Sequence, residues 1–202
     1  MRKYIMILLA VCLSLGNAQN EQITKYTIED ITNPDFWTWG WCPDNSVGNS
    51  SFEKVEEPIL KDKYSLSVKY HFDHKLGEKN SDFIFLTPKK NLELLGKPTK
   101  ISVWIYGNES NVIFQIVLKD KDKEIFGAKT DVRWKGWQKV EFIIPNDFNF
   151  IGNPQDVINK KIDFPINLQG ITLGDWAAGG FVIKEPGIIY LNHLVITTLI
   201  ED

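Results

Sequence analysis

The sequence predicts an all-β protein, an antiparallel two-sheet β-sandwich, and three observations carry that expectation. Short stretches alternate apolar and polar residues, they recur roughly every ten residues, and Gly, Pro, Asn and Asp stand between them. No long amphipathic helix, repeat or linker interrupts the succession. Eight or nine such strands in 202 residues suit two sheets that each bury one face against the other.

In chain order, MRKYIMILLAVCLSLGNAQN comes first. Arg2 and Lys3 precede an apolar run from Tyr4 to Leu15, and Gly16 and Ala18 occupy the small-residue positions of a cut, so residues 1–18 are expected to be a secretory signal peptide. The run falls short of the roughly 20 residues a membrane-spanning helix needs, so no membrane insertion is expected. A lipoprotein leader built on Cys12 would need a small residue where Val11 stands. The expected destination is the periplasm, the cell surface or the medium, with residues 19–202 forming a single β-sandwich domain. Removing Arg2 and Lys3 from the 23 basic residues leaves 21 against 26 acidic ones, a net charge of −5. That balance argues against a nucleic-acid partner. With Cys12 gone only Cys42 remains, so no internal disulfide forms, and its place between Trp41 and Pro43 suits a small buried hydrophobe.

FWTWGWC, at residues 36–42, puts Trp37, Trp39 and Trp41 on one side of an extended segment and Thr38, Gly40 and Cys42 on the other. At least one of the three indoles is expected in the core, with Trp39 and Trp41, nearest the polar loop, on the open face. SLSVKYHF then sets Leu66, Val68, Tyr70 and Phe72 against Ser65, Ser67, Lys69 and His71. Residues 89–96 and 153–160 suggest helical turns. TKISVWIYG, the turn GNES and NVIFQIVLKD suggest a β-hairpin with a four- or five-residue loop. On it Ile101, Val103, Ile105, Val112, Phe114, Ile116 and Leu118 form the core set, and a short loop would make Trp104 and Gln115 near neighbours on the outward face. KEIFGAKT, WQKVEFIIP, NLQGITLGD and IIYLNHLVITT complete the strands.

KPTKISVWIYGNESNVIFQIVLKDKDKEIFG, WKGWQKVEFIIP, FPINLQGITL and GIIYLNHLVI together resemble the galactose-binding-like jelly-roll carbohydrate-binding modules of secreted polysaccharide-degrading systems. The shared signs are a strand ending in Trp, an aromatic residue and Gly, a strand ending in Lys-Asp, and a Gly-Trp pair opening another. The resemblance spans about residues 23–198. It implies a non-catalytic protein that binds a polysaccharide or oligosaccharide, working beside polysaccharide-degrading enzymes or in a surface complex. A weaker resemblance, to flagellar filament outer-layer (sheath) proteins, rests on Tyr106-Gly107, Gly136-Trp137 and the acidic end Glu201-Asp202.

Sugars present C–H patches that stack on aromatic faces and hydroxyls that bond Asn, Gln, Asp, Arg and Lys. Trp104, Tyr106 and Gln115 fit that need, as do Asp175 and Trp176 at the end of GITLGDW, with Arg133, Trp39 and Trp41 extending the surface. Trp137 is expected in the core. The resemblance also implies a structural calcium near Glu29, Asp30 and the Lys63 carbonyl. On the closing strand Asn192 and His193 replace the family's acidic pair, so only the Asn192 amide oxygen could complete that site. No other cofactor is implied. An enzymatic alternative, a polysaccharide lyase or glycoside hydrolase on the same scaffold, has Glu141, Asp131 and Asp175 as available carboxylates, none within a motif that marks a catalytic residue.

Overall fold

The computed structural model describes residues 21–42, 50–60, 63–72, 82–174 and 186–201. The expected signal peptide and the candidates Asp175 and Trp176 lie outside the described residues. Among the described residues thirteen strands appear in chain order: β1 (Glu21–Ile28), β2 (Trp37–Trp39), β3 (Ser51–Val55), β4 (Ser65–Tyr70), β5 (Phe83–Pro88), β6 (Leu92–Glu93) and β7 (Lys97–Asn108). There follow β8 (Ile113–Lys119), β9 (Ile125–Asp131), β10 (Lys135–Ile143), β11 (Asn149–Phe150), β12 (Asn167–Gly174) and β13 (Gly187–Glu201).

They form two antiparallel sheets, as the alternating pattern requires. The six-stranded sheet runs β10, β7, β13, β4, β3, with β1 along the C-terminal half of β13. The seven-stranded sheet runs β11, β9, β8, β12, β5, β2, with β6 beside the start of β12. Leu66, Val68, Ile101, Val103, Ile105, Ile189 and Leu191 from the first sheet meet Ile84, Leu86, Phe114, Ile116, Leu118, Ile171 and Leu173 from the second, all fully buried. Each such side chain contributes about 1.5–3 kcal/mol through removal of apolar surface from water.

The expected hairpin is an arch. β7 bonds β10 and β13, whereas β8 bonds β9 and β12, so residues 109–112 carry the chain from one sheet to the other. Glu109 and Asn111 both adopt left-handed backbone there (φ 59° and 61°), which turns the chain out of the plane of β7. The link between β9 and β10 crosses alongside it: Glu109 N–H donates to Trp134 O at 2.9 Å and Asn111 N–H to Val132 O at 3.1 Å. A hairpin loop and an arch use the same turn residues, and long-range strand partners choose between them. Residues 89–96 hold no helical turn but the two-residue strand β6 paired with Asn167 and Leu168. A 3₁₀ turn does occur at Pro154–Asp156. Glu29 and Asp30 begin a second 3₁₀ turn, Glu29–Thr32, after β1 rather than belonging to that strand.

At one end of the seven-stranded sheet the β8–β9 turn is clamped to the loop before β12. The Glu124 carboxylate accepts N–H groups from Ile158, Asn159 and Lys160 at 3.0–3.3 Å. Burial works against its charge, yet these three donors outweigh it and hold the carboxyl below its usual range. Its contribution to stability is therefore present above the unfolded value of about 4.3 and lost as pH falls through the lower folded value. Asp120 titrates in the opposite sense, because burial raises it against the Glu124 and Asp163 N–H groups. Its contribution is full below its unfolded value and lost as pH rises through the folded one. Glu124→Gln is expected to lower the melting temperature at pH 7 and to flatten its fall between about pH 5 and 3, measured by circular dichroism across pH. An unchanged acid profile would show that the clamp carries no such coupling.

Candidate functional site

Alternation in the strands sends one set of side chains outward from each sheet, and the outer face of the seven-stranded sheet is built in registered rows. One row runs Lys129, Gln115, Thr172 and Phe85 across β9, β8, β12 and β5. A flanking row runs Asp131, Ile113, Gly174 and Phe83. On the other side lie Gly127, Val117, Gly170, Thr87 and Thr38. The middle strands supply small or recumbent side chains, and larger ones stand at either side.

The ring of Phe85 lies down across the sheet. A Cβ built on Gly40 would fall 2.5 Å from Phe85 Cδ1, and one built on Gly170 would fall 2.7 Å from Cε2. Both edges of the ring therefore occupy space that glycine leaves free, and the residue is half-buried. Next to it, Thr172 Oγ1 donates to Gln115 Oε1 at 3.2 Å. The Gln115 amide nitrogen extends over Gly127, 2.4 Å from where a Cβ would sit, with Ile151 Cδ1 2.9 Å from the same point. At one end Arg133 Nη2 pairs with Asp131 Oδ2 at 2.5 Å. At the other, Trp41 is 77% exposed and leans on Phe83 with ring centroids 5.5 Å apart. This face thus combines a half-buried aromatic plate, an amide and a hydroxyl whose residues, Gln115 and Thr172, are only 8% and 5% exposed, and an ion pair.

The candidate residues divide between two faces. Gln115, Arg133 and Trp41 belong to this one. Trp104 and Tyr106 lie on the outer face of the six-stranded sheet, so the expected Trp104–Gln115 neighbourhood does not exist: the arch puts a whole sandwich between them. Trp41 accordingly extends a surface that includes Phe83 and Phe85, not one begun by Trp104. Trp39 points inward, because it registers with the core residue Leu86 and packs edge-on against Phe52 at 5.0 Å. Trp137, expected in the core, registers with Tyr106 and shares its outward face. Trp134 packs against the core and donates Nε1–H to Ile105 O at 3.2 Å.

Phe85 is the residue sequence reasoning missed. FIFLTP is apolar on both sides of its alternation, and a strand with Ile84 and Leu86 in the core has a second set, Phe83 and Phe85, that must lie elsewhere. The glycines that lay the ring down are far apart in sequence and meet only through pairing with β2 and β12.

Other chemistry is limited by geometry. Glu141 faces outward on the six-stranded sheet and Asp131 outward on the other, so these two carboxylates cannot flank one substrate bond. Lys139 and Lys100 hold the Glu141 carboxyl below its usual range. Burial pushes the Cys42 thiol up, despite an N–H from Phe85 at 3.1 Å, which keeps it protonated rather than nucleophilic. For calcium, Asn192 is fully buried and its Oδ1 has no hydrogen-bond partner, but its Nδ2 is spent on the Tyr64 carbonyl at 2.9 Å. The Lys63 side chain sits over the Tyr64 ring, with Nζ 5.1 Å from its centroid. The side chains of Glu29 and Asp30 lie outside the described set. Asp120, Asp122 and Asp163 bring carboxylate oxygens within 4.8 Å of one another, with Asp120 already bonded to two backbone N–H groups.

No protein-family model matches the chain, and no curated protein matches it. Solved structures do. A family 11 carbohydrate-binding module from Clostridium thermocellum, in complex with a β-1,3-1,4-mixed-linked tetrasaccharide, superposes with a TM-score of 0.59 at 14% identity, covering 88% of this chain and 98% of that one. The family 11 module of the cellulosomal cellulase Lic26A-Cel5E of the same organism gives 0.58 at 14% identity, covering 85% and 93%. Carbohydrate-binding modules from the β-sandwich superfamily give 0.50 at 12% identity, covering 84% and 59%. None of these is a filament sheath protein, so that weaker resemblance finds no support here. The chain has the jelly-roll β-sandwich fold of the carbohydrate-binding modules.

Proposed function

We propose that this is an exported, non-catalytic carbohydrate-binding protein, an accessory to polysaccharide capture or breakdown, and that its site is the outer face of the seven-stranded sheet. The observation that carries the reading is the Phe85 ring laid flat over Gly40 and Gly170 beside the bonded Gln115–Thr172 pair. An apolar plate next to fixed hydrogen-bonding groups is what a pyranose needs, because its C–H face stacks while its equatorial hydroxyls find donors and acceptors in the ring plane. Arg133 and Asp131 would bond hydroxyls at one end, and Trp41 with Phe83 would stack a further residue at the other. Likeness to a module solved with a mixed-linked tetrasaccharide supports extended β-glucans as first ligands to try. Export rests on the leader sequence, and a role beside degrading enzymes rests on the resemblance.

The test is a panel of soluble mixed-linked β-glucan, xylan and galactomannan in affinity electrophoresis, with retardation of the wild type expected on at least one. No retardation on any, backed by no heat in titration calorimetry against the matching oligosaccharides, would sink the reading. Gly40→Ala offers a sharper probe. Its methyl group would prop up the Phe85 ring without touching the core, so affinity is expected to fall about tenfold while the melting temperature moves little.

A further inference from the structure

We propose that the outer face of the six-stranded sheet is a second glycan-contacting surface, which makes the protein bivalent; this rests on the reading that the chain binds glycans at all. Trp137, Tyr106, Tyr190 and Ser67 stand in one registered row across β10, β7, β13 and β4. Tyr106 meets Trp137 edge-on at 5.6 Å and Tyr190 edge-on at 5.7 Å. Trp104 is the next outward residue on β7, between Lys139 and Asn192. Four half-buried aromatic rings on a sheet face that turns away from the core need an occupant or a cover.

Two polar atoms in the row identify the occupant. Ser67 is 1% exposed and its hydroxyl has no hydrogen-bond partner, and the Trp137 indole N–H is likewise buried without an acceptor. Burying a donor unpaired is costly, and the cost is recovered when a ligand supplies the missing group. A ligand hydroxyl suits each of them, since it donates and accepts, and reaching either atom requires the side chains that cover it to move. Around the rings, Glu141 pairs with Lys139 at 2.5 Å and Lys100 at 3.2 Å, Lys69 pairs with Glu53 at 2.7 Å, and exposed Lys135 stands two residues before Trp137. Trp137 and Tyr190 stand two strands apart, about 10 Å, so a glycan crossing the strands would meet one ring with every second residue.

The test titrates a mixed-linked β-glucan tetrasaccharide, or whichever panel oligosaccharide the wild type binds, into four proteins by calorimetry. Wild type is expected to take two ligands per chain, Phe85→Ala one, and Trp137→Ala/Tyr190→Ala one, with none for the combined variant. Wild type should also cross-link the corresponding soluble polysaccharide, seen as light scattering that either set of substitutions removes. One ligand per wild-type chain, lost with Phe85→Ala and untouched by Trp137→Ala/Tyr190→Ala, overturns the second surface and leaves the first reading standing. A wild type that binds nothing overturns both. Because the double variant removes two large rings, Ser67→Ala is a second probe. It deletes an unpaired buried hydroxyl, so the free protein should melt no lower than wild type while second-site affinity weakens about tenfold. A lower melting temperature with unchanged affinity would mark the hydroxyl as structural and count against the proposal.

Discussion

Phe85→Ala is expected to weaken glycan binding at the seven-stranded sheet by thirtyfold or so, about 2 kcal/mol, the size of a central aromatic contact in a binding surface. The fold should survive. The ring lies on the outer face, half-buried, so its removal costs on the order of 1 kcal/mol of stability, well within what a domain of this size tolerates. Phe85→Trp keeps a plate in the same place, although its larger ring must still clear Gly40 and Gly170, and should retain most of the affinity. Titration calorimetry against the best-bound oligosaccharide checks both. If Phe85→Ala binds like wild type while remaining folded, the plate is not the site.

The second large effect is on stability, and it separates the three tryptophans of FWTWGWC. Trp37 is 1% exposed, packs edge-on against Phe36 at 4.8 Å and donates Nε1–H to Ile31 O at 2.8 Å. Trp37→Ala should cost about 3–5 kcal/mol through the cavity and the orphaned carbonyl, lowering the melting temperature by roughly 10 °C. Trp39→Ala, at the rim of the core against Phe52, should cost less. Trp41→Ala should stay within about 0.5 kcal/mol of wild type, because its ring is mostly in water. Thermal melts of the three variants check the order, and an equal loss at all three would contradict the placement of the segment.

Much of the fold is legible in the linear pattern. Period-two alternation places Leu66, Val68, Ile101, Val103, Ile105, Phe114, Ile116 and Leu118 inward, and all of them are buried, because a strand's two sides are decided locally by the pleat. The number and spacing of strands already exclude a helical or parallel architecture. Even the mixed character of FWTWGWC is visible, since three rings on one side of a segment cannot all be equally placed when the chain runs off the edge of a sheet.

What the pattern leaves open is which strands become neighbours. Trp104 and Gln115 are eleven residues apart and each is correctly read as facing outward, yet they sit on opposite faces of the molecule. Outward is a property of one strand, whereas a site belongs to several. The bonding of β7 to β10 and β13, and of β8 to β9 and β12, comes from contacts between segments tens of residues apart, and no local spacing encodes it. The same holds for Phe85: its own alternation places it away from the core, but only Gly40 on one side and Gly170 on the other lay the ring flat. Local sequence settles the fold class, the core and the direction of each side chain because these follow from backbone geometry over a few residues. Strand order and the composition of each face follow from long-range pairing, and for that reason they appear only once the two sheets are assembled.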